Sequence, residues 1–241
     1  MFDWQPPEAA AIFMKFPFRA GHTPPTDDRF VQARAAMVRD QLAGRGINNP
    51  RVLAAMGKIP RQQFIAAEFA NKAYDDAPLP IAAGQTISQP YMVGLMTQLL
   101  DPQPGHRVLE IGVGSGYQAA ILAELAGEVV GVERIPALAQ VSGALLAGMG
   151  YTNIIVFTGD GTQGWPVRAP YDGILVAAAG PSIPAALTDQ LADGGRLIMP
   201  VGAPGGEQVL MRVKRQGELL LHEKLIDVRF VPLIGRYGFK E

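Results

Sequence analysis

The stretch VLEIGVGSGYQAA (residues 108–120) decides how the chain is read. An apolar run carrying Glu110 ends at Ile111, a glycine-rich turn follows, and an apolar, helix-forming segment begins at Tyr117. A strand, a glycine turn and a helix in that order form a cofactor-binding unit of a parallel α/β sheet. The spacing, however, is G-x-G-x-G (Gly112, Gly114, Gly116). The dinucleotide fingerprint requires G-x-G-x-x-G, and its third glycine position is occupied by Tyr117. The turn therefore suits a nucleoside ligand better than the pyrophosphate of a nicotinamide cofactor.

Working outward, strands alternate with helices on the carboxyl side. RVLEI, EVVGVE, NIIVFTG, YDGILVAAA and GRLIMPVG read as strands. GYQAAILAELA, PALAQVSGALLAGMG and IPAALTDQLA read as the helices between them. Short apolar strands separated by helices predict a doubly wound, mostly parallel sheet covered on both faces. QVLMRVKRQGELLLHEKLIDVRFVPL then reads as two alternating strands joined at Gln216-Gly217, an antiparallel C-terminal pair. Toward the amino end, residues 28–42 have near-helical apolar spacing, with Thr26 or Asp27 as cap. PRVLAAMGKI, PRQQFIAAEFANKAY and PYMVGLMTQLL are further helical segments. Between the last two lies DDAPLPIAAGQTISQP, too rich in Pro and Gly for regular structure and long enough to carry function. The expected organisation is an extension at residues 1–27, loose or packed on the body, and one domain at 28–241. That domain divides into N-terminal helices with the substrate loop (28–105), a cofactor core (106–200) and C-terminal strands (201–241).

Composition narrows the function. The chain has 241 residues, 48% hydrophobic and 18% charged, enough for a sizeable core. A net charge of −1 provides no broad field for nucleic acid or anionic membrane, so neither is expected as a partner. With no cysteine there is no disulfide, thiolate nucleophile or cysteine zinc site, and no metal is expected. No apolar run reaches the ~20 residues of a membrane span, and the first residues lack a secretory pattern. A cytoplasmic location and a monomer are expected, with a dimer left open.

Three strand ends carry candidate site residues. The glycine turn brings Glu110, Gly112, Gly114, Ser115 and Gly116. Glu133, with Arg134 after it, closes the second strand, where a carboxylate can accept from both hydroxyls of a ribose. Asp160 and Gly161, in GDG after the third strand, can meet the amino group and a ring nitrogen of adenine. A solvated strand-end charge and a plain Asp-Gly turn are the simpler readings of the last two. Together the three describe a pocket for adenine and ribose without pyrophosphate, which S-adenosylmethionine suits.

LEIGVGSGY, GVE, GDG and PYDGILVAAA resemble the successive motifs of class I S-adenosylmethionine-dependent methyltransferases. GQTISQPYMV, PRQQFI, GGRLIMPVG and RFVPLIG are more specific: from about Phe30 to Gly235 the chain resembles the protein-L-isoaspartate O-methyltransferase family. The resemblance implies methyl transfer from S-adenosyl-L-methionine to the free carboxylate of L-isoaspartyl residues in aged proteins and peptides. S-adenosyl-L-homocysteine is the second product, and the ester collapses to a succinimide. It marks Ser88 as the active residue, orienting the acceptor carboxylate; an N-cap for the following helix is the simpler reading. Gln85, Thr86 and Ile87 would line the same wall beside the methyl donor, and Val231, Pro232 and Leu233 would cover the substrate backbone, with core packing the equal alternative. Two departures stand out. VAAAGPSIP has no polar residue before Ser182, and Val93 stands where some relatives have a histidine. A methyltransferase of the same class acting on a different acceptor is the alternative. The three histidines, His22, His106 and His222, lie in no suggestive motif and are read as structural or surface residues.

Overall fold

The computed structural model describes residues 28–240. The expected extension at 1–27, the caps Thr26 and Asp27, and His22 lie outside the described residues. In chain order the elements are α1 (Asp28–Ala36), α2 (Pro50–Lys58), β1 (Leu79–Pro80), β2 (Thr86–Ile87), α3 (Pro90–Leu100), β3 (Arg107–Ile111), α4 (Tyr117–Ala123), β4 (Glu128–Glu133) and α5 (Pro136–Gly148). They continue with β5 (Ile154–Thr158), β6 (Tyr171–Val176), α6 (Ala185–Thr188), β7 (Leu191–Gly202), β8 (Gln208–Gln216) and β9 (Leu219–Val228).

Seven strands form one sheet in the order β5-β4-β3-β6-β7-β8-β9. The first five run parallel, and β8 and β9 add antiparallel at one edge. The chain steps from β3 outward to β5, then returns to the other side of β3 with β6. That reversal opens a crevice at the carboxyl ends of β3 and β6, where ligands of such sheets bind. Alternate strand residues face opposite layers. Val108, Val129, Leu175 and Ile198 pack with Met96, Leu100 and Leu122 of α3 and α4. Leu109, Ile111, Val130, Val132, Ile174 and Leu197 face the other way, toward Tyr171, Leu187 and Leu233. The second layer is thin. It consists of one-turn α6, the turns after β5 and the C-terminal segment.

The expected doubly wound sheet with an antiparallel C-terminal pair and an N-terminal helical region is present. Four local expectations are corrected. Residues 28–42 are one helical stretch, but its second half, Met37–Leu42, is a π-helical turn. Met37 and Leu42, five apart, are both fully buried; the wider turn carries residues at that spacing to one side, where an α-helix would splay them. The expected helix over 60–74 is two 3-10 turns, Arg61–Phe64 and Ala67–Lys72. Arg61 is fully buried between them. Its Nε donates to Ala73 O at 2.7 Å and its Nη2 to Ser88 O at 2.7 Å, so the chain curls around a guanidinium that needs carbonyls. The loop before α3 contains a small antiparallel hairpin, β1 with β2. The helix expected over 183–192 is one turn, because buried Gln190 is held by Trp165 N, Gln163 O and Ala186 O, and β7 starts immediately after it.

Candidate active site

The glycine turn follows β3 with Gly112, Gly114 and Gly116 all at positive φ (83°, 54° and 89°). Side chains rarely take such angles, so three glycines let the backbone double back over the strand end. The turn presents Gly114 N to Glu133 Oε2 at 2.9 Å, while Ile135 N reaches Glu133 Oε1 at 2.9 Å. Glu133 is thus buried and fixed at the tip of β4. Each of its oxygens can accept one further donor, which fits a pair of ribose hydroxyls.

Glu110 is different. It is fully buried, and neither carboxylate oxygen has a hydrogen-bond partner among the described residues. Burial, and then the charge of Glu133, push its carboxyl well above the usual carboxylate range. A buried carboxylate without a donor is costly. The chemistry that satisfies it is a cation or strong donor entering the crevice, and the amino group of an amino-acid-bearing nucleoside fits.

Both glutamates line a cleft enclosing about 1050 Å³ including its open mouth. Gln85, Thr86, Ile87 and Ser88 of the loop before α3, Gly112, Gly114, Ser115, Arg134 and Gly161 at the strand ends, and Val231, Pro232 and Leu233 after β9 all line it. The segment after β9 is held there by strand-like bonds, Ala179 N to Val231 O at 2.8 Å and Leu233 N to Ala179 O at 2.7 Å. The small residues Ala177 and Ala178 also line the cleft.

The Ser88 hydroxyl makes no hydrogen bond among the described residues, and its carbonyl is the group Arg61 holds. It is not the helix cap. Gln89 occupies the cap position of α3, and the carboxylate that reaches the helix N-terminus is Asp76, whose Oδ1 accepts from Tyr91 N at 3.0 Å. Asp76 also takes Gln89 Nε2 at 3.1 Å and pairs with Arg45, whose guanidinium sits 3.7 Å from the centre of the Tyr91 ring. The segment carrying Ser88 is thus pinned at both ends while its hydroxyl stays available.

Two expected site residues stand outside the lining. Gly116 begins α4 and presses on Ser142 and Leu146 of α5, shaping the turn from behind. Asp160, expected at adenine, has its acceptor positions taken by Thr162, Gln163 and Arg236. Conversely, Tyr117 and Gln118 of α4 line the cleft and were not anticipated. Gln118 Nε2 donates to Thr97 Oγ1 at 2.9 Å, which donates to Val93 O at 2.7 Å. A lone glutamine in the apolar run YQAAILA is the signal that could have found it. His106 lies just before β3, at the opposite end of the sheet from the cleft, and His222 is exposed on β9. Among the described residues no cluster of His, Cys, Asp or Glu could hold a metal, and no helix is long and apolar enough to cross a membrane.

The family model for protein-L-isoaspartate(D-aspartate) O-methyltransferase matches residues 32–238. The chain belongs to this family. A protein-L-isoaspartate O-methyltransferase of Methanoregula boonei is 56% identical over 207 residues, covering 86% of this chain and 95% of that one. Protein-L-isoaspartate O-methyltransferase 1 of Rhodopseudomonas palustris is 52% identical over 221 residues, 90% of each chain. Among solved structures, a protein-L-isoaspartate O-methyltransferase superposes with a TM-score of 0.78 at 28% identity, over 85% of this chain and 67% of that one. A Plasmodium falciparum structure, described as an isoaspartate O-methyltransferase in complex with S-adenosyl-L-homocysteine, has a TM-score of 0.73 at 26% identity, over 83% of this chain and 98% of that one. Family membership and fold therefore agree, and S-adenosyl-L-methionine is the cofactor.

Proposed function

We infer that this chain methylates the free carboxylate of L-isoaspartyl residues in aged proteins and peptides, starting their repair through a succinimide. The observation that carries the reading is the cleft itself. An available serine hydroxyl just before α3 shares the lining with the carboxyl ends of β3 and β4, where one buried carboxylate lacks a partner among the described residues and another has acceptor capacity to spare.

S-adenosyl-L-methionine, when bound, supplies a methyl group on a sulfonium that needs no further activation. Glu133 would hold the ribose hydroxyls and Glu110 the amino group. The backbone of Gly112, Gly114 and Gly161 would lie against the nucleoside, with Ser115 and Arg134 at the edge of the floor. Gln85, Thr86 and Ile87 would close over the donor. The acceptor needs no general base, because a carboxylate with a pKa near ~4 is already ionised at neutral pH. What remains is alignment and exclusion of water, and positioned reactants alone can supply a large part of the acceleration. Ser88 would donate its hydroxyl hydrogen to one acceptor oxygen, leaving the other aimed at the methyl carbon. Val231, Pro232 and Leu233 would hold the substrate backbone against that wall. The reading places the whole activity in a single unit, residues 28–241, of one chain, working in a reducing cytoplasm that suits a protein without cysteine.

Labelled methyl transfer to an isoaspartyl peptide, with wild type and Ser88→Ala, tests the site. A base-labile ester is expected with wild type, and a loss of roughly 10- to 100-fold in turnover with the variant, the scale of a misaligned acceptor. Unchanged turnover in Ser88→Ala would remove the orienting role.

A further inference from the structure

Arg61 is fully buried, and its hydrogen-bond partners among the described residues are carbonyls, not a carboxylate. Its Nη1 has no hydrogen-bond partner among them, and neither has the buried hydroxyl of Tyr117, over whose ring the guanidinium carbon lies, 4.8 Å from the centre. Phe64 closes on the same ring edge-on, at 5.4 Å and 67°. A buried charge with an idle donor beside an idle hydroxyl is a poor way to fill a core, and an apolar side chain of similar volume is often no less stable there. Packing alone therefore does not account for an arginine at this position.

The groups that the guanidinium touches do. Nη2 donates to the Ser88 carbonyl at 2.7 Å and Nε to the Ala73 carbonyl at 2.7 Å. Tyr117 is the first residue of α4, directly after Gly116 of the glycine turn, and it lines the cleft together with Ser88. One side chain outside the cleft lining thus joins the loop that carries the serine to the helix that follows the glycine turn. A residue's carbonyl and its Cβ share one Cα. With the Ser88 carbonyl held, Ile87 before it buried and Pro90 starting α3 two residues on, the direction of the Ser88 Cα–Cβ bond is set. Only the choice among staggered χ1 wells is left to the hydroxyl. Arginine suits this task because its planar fork holds two carbonyls at a fixed angle, whereas a lysine ammonium is a point charge on a flexible stem.

We propose that Arg61 is a positioning residue for methyl transfer, holding Ser88 at a set distance from the helix after the glycine turn so that the serine hydroxyl meets the acceptor carboxylate in line with the methyl donor. This role rests on the methyltransferase reading of the cleft and extends it to a side chain that lies behind the site.

A double-mutant cycle between Arg61→Lys and Ser88→Ala tests it, read as kcat/KM for an isoaspartyl peptide. S-adenosyl-L-homocysteine affinity by calorimetry and hydrogen exchange of residues 85–89 are measured alongside. Arg61→Gln, which carries no charge into the core, takes the place of the lysine variant if that fails to fold. With Ser88 present, the substitution is expected to lower kcat/KM about tenfold, to leave S-adenosyl-L-homocysteine affinity within about twofold, and to speed exchange of residues 85–89. In the Ser88→Ala background the same substitution is expected to cost less than about twofold, because the hydroxyl it positioned is gone. A loss of about tenfold in that background as well would mean that Arg61 acts through general packing, and would overturn the proposal. Unchanged kcat/KM, or unchanged exchange of residues 85–89, in the single variant would overturn it too. A wild type that binds S-adenosyl-L-homocysteine but leaves the peptide unmethylated would instead remove the substrate assignment, and the exchange measurement would still decide whether Arg61 holds the serine.

Discussion

Glu110 and Ser88 hold opposite kinds of readiness. Glu110 is buried with its carboxylate unmatched, and its carboxyl is held well above the usual range, first by burial and then by Glu133. A carboxylate whose folded pKa is raised binds its proton more tightly in the folded chain than in the unfolded one. Without ligand, stability should therefore fall as pH rises from the ordinary glutamate range, ~4.3, toward the raised folded value. A ligand ammonium reverses the balance, because it favours the ionised form. Stabilisation by S-adenosyl-L-homocysteine, read as the shift in melting temperature, should grow with pH across that window, and Glu110→Gln should flatten the slope. An equal slope in the variant would place the cofactor amino group elsewhere. Ser88 was legible only through the resemblance of GQTISQPYMV. From local chemistry alone it reads as a helix cap, and a capping carboxylate contributed from Asp76, earlier in the same loop, leaves no trace in the spacing around Pro90. The partners that the structure gives Asp160 were hidden for a related reason. Asp-Gly after a strand signals a turn at a ligand site, but its partner Arg236 lies 76 residues away.

At the scale of elements, the glycine turn and β4 fit as a pair. A Cβ on Gly131 would lie 2.6 Å from Val113 Cγ2, so the middle of β4 has no side chain because the turn from β3 packs there. Gly131→Ala should push the turn away from Glu133 and weaken S-adenosyl-L-homocysteine binding, with an overpacking cost of about 1–3 kcal/mol. Val113→Ala in the same chain should recover most of the affinity; a double variant as weak as Gly131→Ala alone would show that the strain lies elsewhere. The start of α3 gives a second test. Asp76→Ala removes the acceptor for Tyr91 N and should cost about 1 kcal/mol in urea unfolding, with a higher peptide KM because the segment carrying Ser88 loses its anchor. Strands were read well, since short apolar runs bounded by glycine and proline are local signals; RVLEI and EVVGVE coincide with β3 and β4. Segments organised around one buried polar side chain were not. Arg61 and Gln190 each override helix propensity through contacts made far along the chain.

For the whole molecule, the order of strands carries the function. Five parallel strands with a reversal at β3 and β6 place three loop ends at one crevice, and the segment after β9 returns to close it. The fold class could be read from the alternation of strands and helices. The strand order could not, because pairing between β3 and β6, some sixty residues apart, leaves no periodic mark. The acceptor wall depends on that return, so the substrate assignment is a statement about the whole chain. It is tested most directly by presenting the enzyme and labelled S-adenosyl-L-methionine with an isoaspartyl peptide and with its aspartyl twin, identical except for the linkage. Base-labile label in the isoaspartyl peptide alone is the expected result; equal labelling of both, or of neither while S-adenosyl-L-homocysteine still binds, would contradict the account.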